Sequence, residues 1–259
     1  MTSAGIDIGA RTIDIVLFRD GKILDSTVLN TGAKPRERAS KAFDEILAKN
    51  GLNRKKLKRI ISTGYGRNHF PDSDEVVSEI SCHAAGTAYF FPDAKLVIDI
   101  GGQDSKVILT SGHGRVLEFA MNDRCAAGTG RFIEMVAGIL DIGIEDISGL
   151  SFKKSTACEI SSMCAVFAES EIVGLLQNEI PQEQILKGVF RAVAKRIVSM
   201  MGRSFVADTI VFTGGVAMIR GVAEALGEET GMKIVLPPDP RITGALGAAI
   251  IAAGKRNSK

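Results

Sequence analysis

The 259-residue sequence has no tryptophan, two tyrosines and only 5% aromatic residues. Its net charge is +2, so no electrostatic argument favours binding to nucleic acid or to an anionic membrane. The longest run of small apolar residues, Ala245 to Gly254, is shorter than the roughly 20 residues of a membrane-spanning helix. No basic and apolar leader precedes the first predicted strand. We therefore expect a cytoplasmic protein with neither nucleic acid nor a membrane as partner.

The sequence also lacks a recognisable cysteine framework. Its four cysteines are Cys82, Cys125, Cys158 and Cys164, and their spacings match no zinc-finger or rubredoxin pattern. A disulfide set is not expected in a cytoplasmic chain. Metal ligation, catalysis and simple burial remain open for each thiol.

Glycine is in excess, at 28 of 259 residues or about 11% against a usual ~7%. Two predicted strands end in the same sequence, Asp-Ile-Gly, at Asp7–Gly9 and at Asp99–Gly101. Each is followed by a predicted hairpin. A repeat on this scale predicts two related half-domains packed together.

Hydrophobic periodicity predicts an α/β fold. The predicted strands cover 5–9, 13–18, 22–28, 60–63, 96–101, 107–109, 116–119, 209–212 and 234–236, and the predicted helices cover 35–50, 131–140, 164–177, 181–200, 216–226 and 244–253. The first half-domain is expected to hold residues 1–90 with the C-terminal segment 244–259. The second is expected to hold residues 91–243.

Neither a P-loop nor a Rossmann glycine pattern follows the first strand. Here the glycines connect two strands, so a carboxylate stands beside a turn with exposed N–H groups. Such a carboxylate can hold Mg²⁺, usually through water, while the N–H groups donate to phosphate oxygens. A third element, Gly214-Gly215, follows a strand and permits close approach of a nucleoside. A lone Asp-x-Gly is most often an ordinary turn, but three ordered elements favour a nucleotide site.

The order of these elements is similar to that of the actin, Hsp70 and sugar-kinase superfamily. More specific motifs resemble those of activators of 2-hydroxyacyl-CoA dehydratases, a family that includes ATPase subunits of benzoyl-CoA reductase and reductases of double-cubane cluster proteins. The resemblance covers essentially the whole chain. The motifs that carry it are Thr63–Arg67, Asp99–Lys106, Asn122–Phe132, Ile160–Glu171 and Phe212–Ala217.

The resemblance implies an ATPase that takes an electron from ferredoxin or flavodoxin. It would pass the electron at low potential to an iron–sulfur acyl-CoA dehydratase, reductase or double-cubane cluster protein. Implied cofactors are ATP or ADP, Mg²⁺ and one [4Fe-4S] cluster per homodimer. Asp7 and Asp99 would position Mg²⁺, and Gln103 or Asp104 would orient the attacking water. The expected nucleotide-binding residues are Gly9, Ala10, Arg11, Thr12, Gly101, Gly102, Gly128, Gly130, Gly214, Gly215 and Gly244.

The first turn departs from the family pattern. The family usually continues Gly-Ser-Thr-x-x-Lys, whereas this chain has Ala10 in place of a hydroxyl-bearing residue and Asp14 in place of a cation. Backbone N–H groups can still bind phosphate there. Arg11 is the candidate to supply the missing positive charge.

Two cysteines stand at the starts of predicted helical segments. Cys125 precedes a glycine-rich turn and Cys164 begins a helix, and helix N-termini stabilise thiolates. Since a [4Fe-4S] cluster takes four thiolates, two chains could supply them. From spacing alone burial is the commoner fate, but the motifs favour a shared cluster held by these two residues. Cys82 and Cys158 are interpreted as buried, and His83 as a structural or surface histidine.

Two alternatives from other classes stay open. One is a sugar or small-metabolite kinase of the same fold with structural cysteines. The other is a non-catalytic, actin-like assembly protein. Brown, air-sensitive protein after anaerobic purification would argue against both.

Overall fold

The computed structural model describes residues 1–148, 156–160, 164–202, 205 and 207–254. Two parts of the predictions lie outside these residues: the three positions before Cys164 in its motif and the chain end at 255–259. The strands are β1 (Thr2–Ile8), β2 (Thr12–Arg19), β3 (Lys22–Asn30), β4 (Leu57–Thr63), β5 (Glu75–Val76), β6 (Leu96–Ile100), β7 (Ser105–Thr110), β8 (Val116–Asn122), β9 (Thr209–Thr213) and β10 (Lys233–Val235). The helices are α1 (Pro35–Lys49), α2 (Glu79–Phe90), α3 (Gly130–Ile139), α4 (Ile144–Ser148), α5 (Ala165–Gln177), α6 (Gln182–Met201), α7 (Arg220–Thr230) and α8 (Thr243–Gly254).

The strands form two five-stranded sheets with the same internal order. The first runs β3-β2-β1-β4-β5 and the second β8-β7-β6-β9-β10, so each places its first strand in the centre and its next two strands on one side. In the first sheet β1, β2 and β3 are antiparallel neighbours, while β4 is parallel to β1. The two Asp-Ile-Gly repeats of the sequence thus belong to two sheets with the same strand order.

The chain divides into two compact units. One contains residues 1–97, 108–118 and 237–259, and the other contains residues 98–107 and 119–236. The predicted boundaries at 90/91 and 243/244 stay predictions.

In the first unit, alternate residues of β2 pack into different apolar clusters, as a period-two pattern requires. Ile13, Ile15 and Leu17 join the cluster that contains α1, whereas Val16 and Phe18 join the one that contains α8. The sheet is therefore covered on both faces, and its central strand β1 is buried along its whole length.

Helix α8 lies in backbone contact with its neighbours in the first unit. A methyl group built on Gly5 of β1 would overlap the carbonyl oxygen of Ala245, and one built on Gly86 of α2 would overlap that of Thr243. One on Gly247 of α8 itself would overlap the carbonyl oxygen of Cys82. These glycines let strand and helices meet without intervening side chains, which fixes the start of α8 beside the end of β1.

Most predicted elements are present, and β5, α2 and α4 are present although they were not predicted. Helix α2 was not predicted, because its small apolar residues are spread around the helix and give no one-sided pattern. The predicted helix over 216–226 is instead a short 3-10 turn at Gly215–Met218 followed by α7, because the chain becomes extended at Ile219. Within the described ranges, no helix has the length and hydropathy needed to cross a bilayer.

Candidate functional site

The first Asp-Ile-Gly turn joins β1 to β2 in the first unit. Asp7 is almost fully buried at the end of β1, and the backbone N–H of Gly9 donates to the carbonyl oxygen of Thr12 at 2.9 Å. Thr31, at the end of β3, clamps the turn by donating its hydroxyl to the carbonyl oxygen of Gly9 at 2.8 Å and its N–H to that of Arg11 at 2.9 Å. The turn predicted to bind phosphate is thus fixed by backbone hydrogen bonds, and the Arg11 side chain is exposed.

The carboxylate of Asp7 lies against two glycines of the same unit. A methyl group built on Gly64 would overlap its Oδ1, and one built on Gly244 would overlap its Oδ2. Gly64 also has φ of +90°, a left-handed value that disfavours other residues. Gly244 therefore lies beside the predicted metal-positioning carboxylate, at the start of α8. Its prediction as a nucleotide-binding residue stays a prediction.

The first hairpin places two carboxylates opposite each other. Asp14 on β2 is the direct cross-strand partner of Asp7, and both side chains are buried. Thr12 donates its hydroxyl to Oδ2 of Asp14 at 3.1 Å. Like charges directly opposite in a sheet are unfavourable, so this hairpin needs positive charge from elsewhere.

The second Asp-Ile-Gly turn, in the second unit, contains its own counter-ion. Asp99 ends β6 and Lys106 lies on β7; each side chain is only 2–3% exposed. Lys106 Nζ is 3.3 Å from Oδ2 of Asp99 and 2.8 Å from Oδ2 of Asp104, and the Thr213 hydroxyl donates to Oδ1 of Asp99 at 2.9 Å. Both oxygens of Asp99 are thus oriented by the protein. Any Mg²⁺ that this carboxylate positions is more easily held through water than by direct ligation.

The Gly214-Gly215 element, predicted to let a nucleoside approach, is built against this second turn. A methyl group on Gly214, where φ is +89°, would overlap the carbonyl oxygen of Ile100 and lie 2.9 Å from Oδ1 of Asp99. Gly215 is exposed, with no atom within 4 Å of the place a methyl group would occupy. Gln103, one of the two residues predicted to orient water, is exposed as well. Gly215 thus has the open backbone that approach of a nucleoside needs.

The second turn is hydrogen-bonded to the segment that carries Cys125. The N–H of Gly130 donates to the carbonyl oxygen of Gly101, and the N–H of Arg131 donates to that of Gly102, both at 2.9 Å. A methyl group on Gly130 would lie 3.1 Å from the carbonyl oxygen of Gly101, a tight contact that favours glycine at this position. The first turn of α3 and the predicted phosphate turn therefore form one hydrogen-bonded unit.

Asn122 fixes the conformation of Cys125. Its amide donates to the carbonyl oxygen of Cys125 at 2.8 Å, and its Oδ1 accepts the N–H of Cys125 at 3.0 Å. Gly128, in the 3-10 turn that follows, packs against Arg196 of α6, where a methyl group would lie 2.9 Å from Cγ. The cysteine is half-buried, and its backbone is clamped from both sides by one buried side chain.

Cys164 lies at the N-terminal end of α5, which is longer than the three-residue turn that follows Cys125. It caps α5, its thiol is exposed, and its carbonyl oxygen accepts the N–H of Ala168 at 2.9 Å. Free N–H groups at a helix start favour a thiolate or another anionic group nearby. Cys125 is thus a half-buried thiol before a three-residue 3-10 turn, and Cys164 is an exposed thiol at the start of α5. Thiols are the ligands that an iron–sulfur cluster takes. No group of three or more His, Cys, Asp or Glu side chains suited to a metal occurs within the described ranges.

The other two cysteines have less reactive surroundings. Burial raises the pKa of the Cys82 thiol to about 12, with further increases from the charges of Asp7 and Glu79. Burial also raises the pKa of Cys158, whose Sγ would lie 2.9 Å from a methyl group on Gly188 of α6. Burial thus disfavours the thiolate form at both positions.

The sequence and the fold were compared with known proteins. The model of the BadF/BadG/BcrA/BcrD ATPase family matches residues 4–252. The chain belongs to this ATPase family. Its relatives include the (R)-2-hydroxyglutaryl-CoA dehydratase activating ATPase of Acidaminococcus fermentans, 38% identical over 252 residues that cover 97% of this chain and 96% of that protein.

Solved structures agree with the family assignment. The activator of 2-hydroxyisocaproyl-CoA dehydratase from Clostridium difficile, solved with bound ADPNP, matches with a TM-score of 0.90 and 39% identity over 97% of this chain and 94% of that chain. A ROK-family glucokinase from Streptomyces griseus matches with a TM-score of 0.59 at 14% identity, over 98% and 100% of the two chains, which shows the fold alone. The predicted fold of the actin, Hsp70 and sugar-kinase superfamily is confirmed, and so is the predicted family.

The sequence predictions gave no role to several residues in or beside the two Asp-Ile-Gly turns: Thr63, Gly64, His83, Lys106, Asn122 and Thr213. For Thr63, Gly64 and Thr213, a repeated residue pair in the sequence could have indicated a role. Both Thr63-Gly64 and Thr213-Gly214 directly follow an apolar strand, so the Thr-Gly pair repeats just as Asp-Ile-Gly does. For His83 and Asn122 the sequence offered no comparable repeat.

Proposed function

We propose that this chain is an ATP-hydrolysing iron–sulfur protein that passes a low-potential electron to a partner iron–sulfur enzyme, as a cytoplasmic homodimer. The family supplies the ATPase activity, and its relatives are named as activators of acyl-CoA dehydratases. The observation that carries the proposal is the pair of hydrogen bonds from Gly130 and Arg131 to the second phosphate turn. These bonds join the turn proposed to bind nucleotide to the segment that follows Cys125, a proposed cluster ligand.

The hydrolytic step uses the carboxylates of both turns. Asp7 and Asp99 are proposed to position Mg²⁺ on the ATP phosphates, and Gln103 or Asp104 to orient water for attack on the γ-phosphorus. A P–O bond to water forms as the bond to the ADP oxygen breaks, giving ADP and phosphate. Lys106 keeps Asp99 and Asp104 in place, since its ammonium lies within 3.3 Å of both carboxylates.

The electron-transfer step uses the two accessible cysteines. A bound [4Fe-4S] cluster would supply one-electron chemistry at low potential. Cys125 and Cys164 are proposed to hold it together with the same residues of a second chain. The proposed donor is ferredoxin or flavodoxin, and the proposed acceptor is an iron–sulfur acyl-CoA dehydratase, reductase or double-cubane cluster protein.

Iron stoichiometry in anaerobically prepared protein tests this proposal. We expect about four irons per dimer, with iron and dimer lost together in Cys125→Ser and in Cys164→Ser, because symmetry removes two thiolates at once. Cys82→Ser and Cys158→Ser are the matched controls and should keep iron. Four irons per monomer, or a colourless protein that remains dimeric, would contradict the shared cluster.

A further inference from the structure

His83 of α2 is buried beside the start of α8, in the same unit as Asp7. It is 5% exposed, and its Nδ1 is 3.1 Å from the Oγ1 of Thr243. A methyl group built on Gly244 would lie 3.2 Å from Nε2 of His83 and would overlap Oδ2 of Asp7. One ring nitrogen therefore faces a hydroxyl, and the other faces the region that the carboxylate occupies.

The ring is held by rigid surroundings. Helices α2 and α8 meet in direct backbone contact where Gly86 approaches the carbonyl oxygen of Thr243 and Gly247 approaches that of Cys82. No side chain separates the helices at these points, so the ring has little room to rotate. A histidine fixed in this way can define the orientation of a neighbouring group.

The carboxylate of Asp7, not the hydroxyl of Thr243, determines which ring nitrogen carries the hydrogen. An ionised carboxylate only accepts hydrogen bonds, so Nε2, the ring nitrogen on its side, carries a hydrogen when the two groups are paired. Nδ1 then accepts the hydroxyl hydrogen of Thr243 across 3.1 Å, in place of the carbonyl oxygen of Pro240 at 3.3 Å.

We propose that His83 is a positioning residue for Asp7: its Nε2–H donates to the Asp7 carboxylate and fixes the rotation of that carboxylate at the first phosphate turn. The inference rests on the proposed function to the extent that Asp7 serves Mg²⁺ and ATP. In the second turn, Thr213 and Lys106 likewise donate to the carboxylate oxygens of Asp99 and fix its orientation. Groups that orient a metal-binding carboxylate typically change metal affinity 10- to 100-fold when removed.

Magnesium affinity in the presence of a non-hydrolysable ATP analogue is the first test, measured by calorimetric titration of the full chain. His83→Leu should weaken Mg²⁺ binding by about 10- to 100-fold. His83→Gln, which keeps an N–H near the position of Nε2, should stay within about threefold of the parent because the donor is retained. His69, which is exposed, provides the control pair His69→Leu and His69→Gln, expected to be unchanged. Equal losses in both His83 variants, or no loss in His83→Leu, would overturn the proposal.

Thr243 gives a second test that does not depend on replacing the buried ring. Thr243→Val removes the hydroxyl and should weaken Mg²⁺ affinity, while Thr243→Ser should restore it. Nitrogen-15 spectra of the imidazoles in the nucleotide-free protein should show the hydrogen of His83 on Nε2 in the parent and in Thr243→Ser. A hydrogen on Nδ1 of a neutral His83 ring would contradict the proposal.

Asp7→Ala separates failure of this inference from failure of the proposed function. If Asp7→Ala abolishes Mg²⁺-dependent nucleotide binding and His83→Leu does not, the role of His83 is wrong and the ATP site stands. If Asp7→Ala leaves binding unchanged, the ATP site itself is wrongly assigned, and the role of His83 falls with it.

Discussion

The two Asp-Ile-Gly turns are built alike but are charged differently. In each unit a glycine with φ near +90°, Gly64 or Gly214, follows a strand and leaves no room for a methyl group beside the aspartate. Seven residues after the aspartate, however, the first hairpin has Asp14 and the second has Lys106. The shared backbone thus carries a carboxylate pair in one unit and an ion pair in the other.

This difference shows which turn depends on charges supplied from outside the hairpin. In the second turn Lys106 offsets one of the two negative charges of Asp99 and Asp104, both of which it contacts. Near the first turn Arg241 is one cation in addition to Arg11, and its pKa is raised chiefly by its hydrogen bond to Asp239 and in part by the charge of Asp14. A bound Mg²⁺ would offset the remaining negative charge. We therefore expect the first turn to gain more from Mg²⁺ than the second.

The largest effect, loss of Mg²⁺-dependent ATP hydrolysis, should come from neutralising each aspartate in turn. Asp99→Asn removes one of the two ion pairs of Lys106 and weakens the charged hydrogen bond from Thr213, so it should lower the free energy of unfolding by about 2 kcal/mol. Asp7→Asn removes a carboxylate that faces Asp14 and should change the free energy of unfolding by less than about 1 kcal/mol. Urea unfolding measures both, and phosphate release should show loss of Mg²⁺-dependent ATP hydrolysis in each. Equal destabilisation would mean that the two hairpins are not electrostatically different.

The next effect tests the shared backbone. Gly64→Ala and Gly214→Ala should each lower the free energy of unfolding by more than about 2 kcal/mol, because the methyl group meets a carbonyl oxygen at a left-handed φ. Gly138→Ala in α3 is the control, since nothing lies within 4 Å of its added methyl group. If only one of the two turn variants were destabilised, the turns would not be structural equivalents.

Asn122→Ala should have a moderate effect confined to the Cys125 loop. Loss of two hydrogen bonds to the backbone of Cys125 should cost about 1–2 kcal/mol of unfolding free energy. We also expect faster loss of iron from the reduced protein, while ATP binding is kept. Asn178→Ala, at the exposed end of α5, is the control. Unchanged iron retention in Asn122→Ala would show that the clamp does not serve the cluster ligand.

The smallest effect uses Cys82 as a reporter of charge at the first turn. Its pKa of about 12 reflects burial first and then the charge of Asp7, so Asp7→Asn should lower it and speed alkylation of Cys82 at pH 9 to 10. Because the folded-state pKa is raised, this neutral thiol stabilises the fold below about pH 9, and that contribution is lost as the pH rises toward 12. Mass-spectrometric labelling rates against pH measure the shift. An unchanged rate in Asp7→Asn would place the Asp7 charge away from this thiol.

The sequence predicted the repeated turns well because their signal is local. Asp-Ile-Gly at the end of an apolar strand specifies both the turn and the carboxylate, and the predicted strands and most helices were confirmed. Helix α2 was missed because it is buried on several sides and lacks an amphipathic pattern. His83 was therefore interpreted without knowledge of the helix that places it.

Other parts of the site depend on long-range contacts. Thr213 reaches Asp99 across 114 positions, and His83 reaches Thr243 across 160, so no motif links either pair. The bonds from Gly130 and Arg131 to the second turn are made by the backbone, which any residue carries. Such contacts follow from tertiary packing, and the sequence alone does not specify them.

Amide hydrogen exchange at Gly130 and Arg131 tests the central claim that the nucleotide turn and the Cys125 loop act as one unit. Both N–H groups donate to the carbonyl oxygens of the second turn, so their exchange reports on that turn directly. We expect their protection to differ between the ADP-bound and the ATP-analogue-bound protein, while amides of α1, such as that of Phe43, stay unchanged. Identical protection of Gly130 and Arg131 in both nucleotide states would contradict the account.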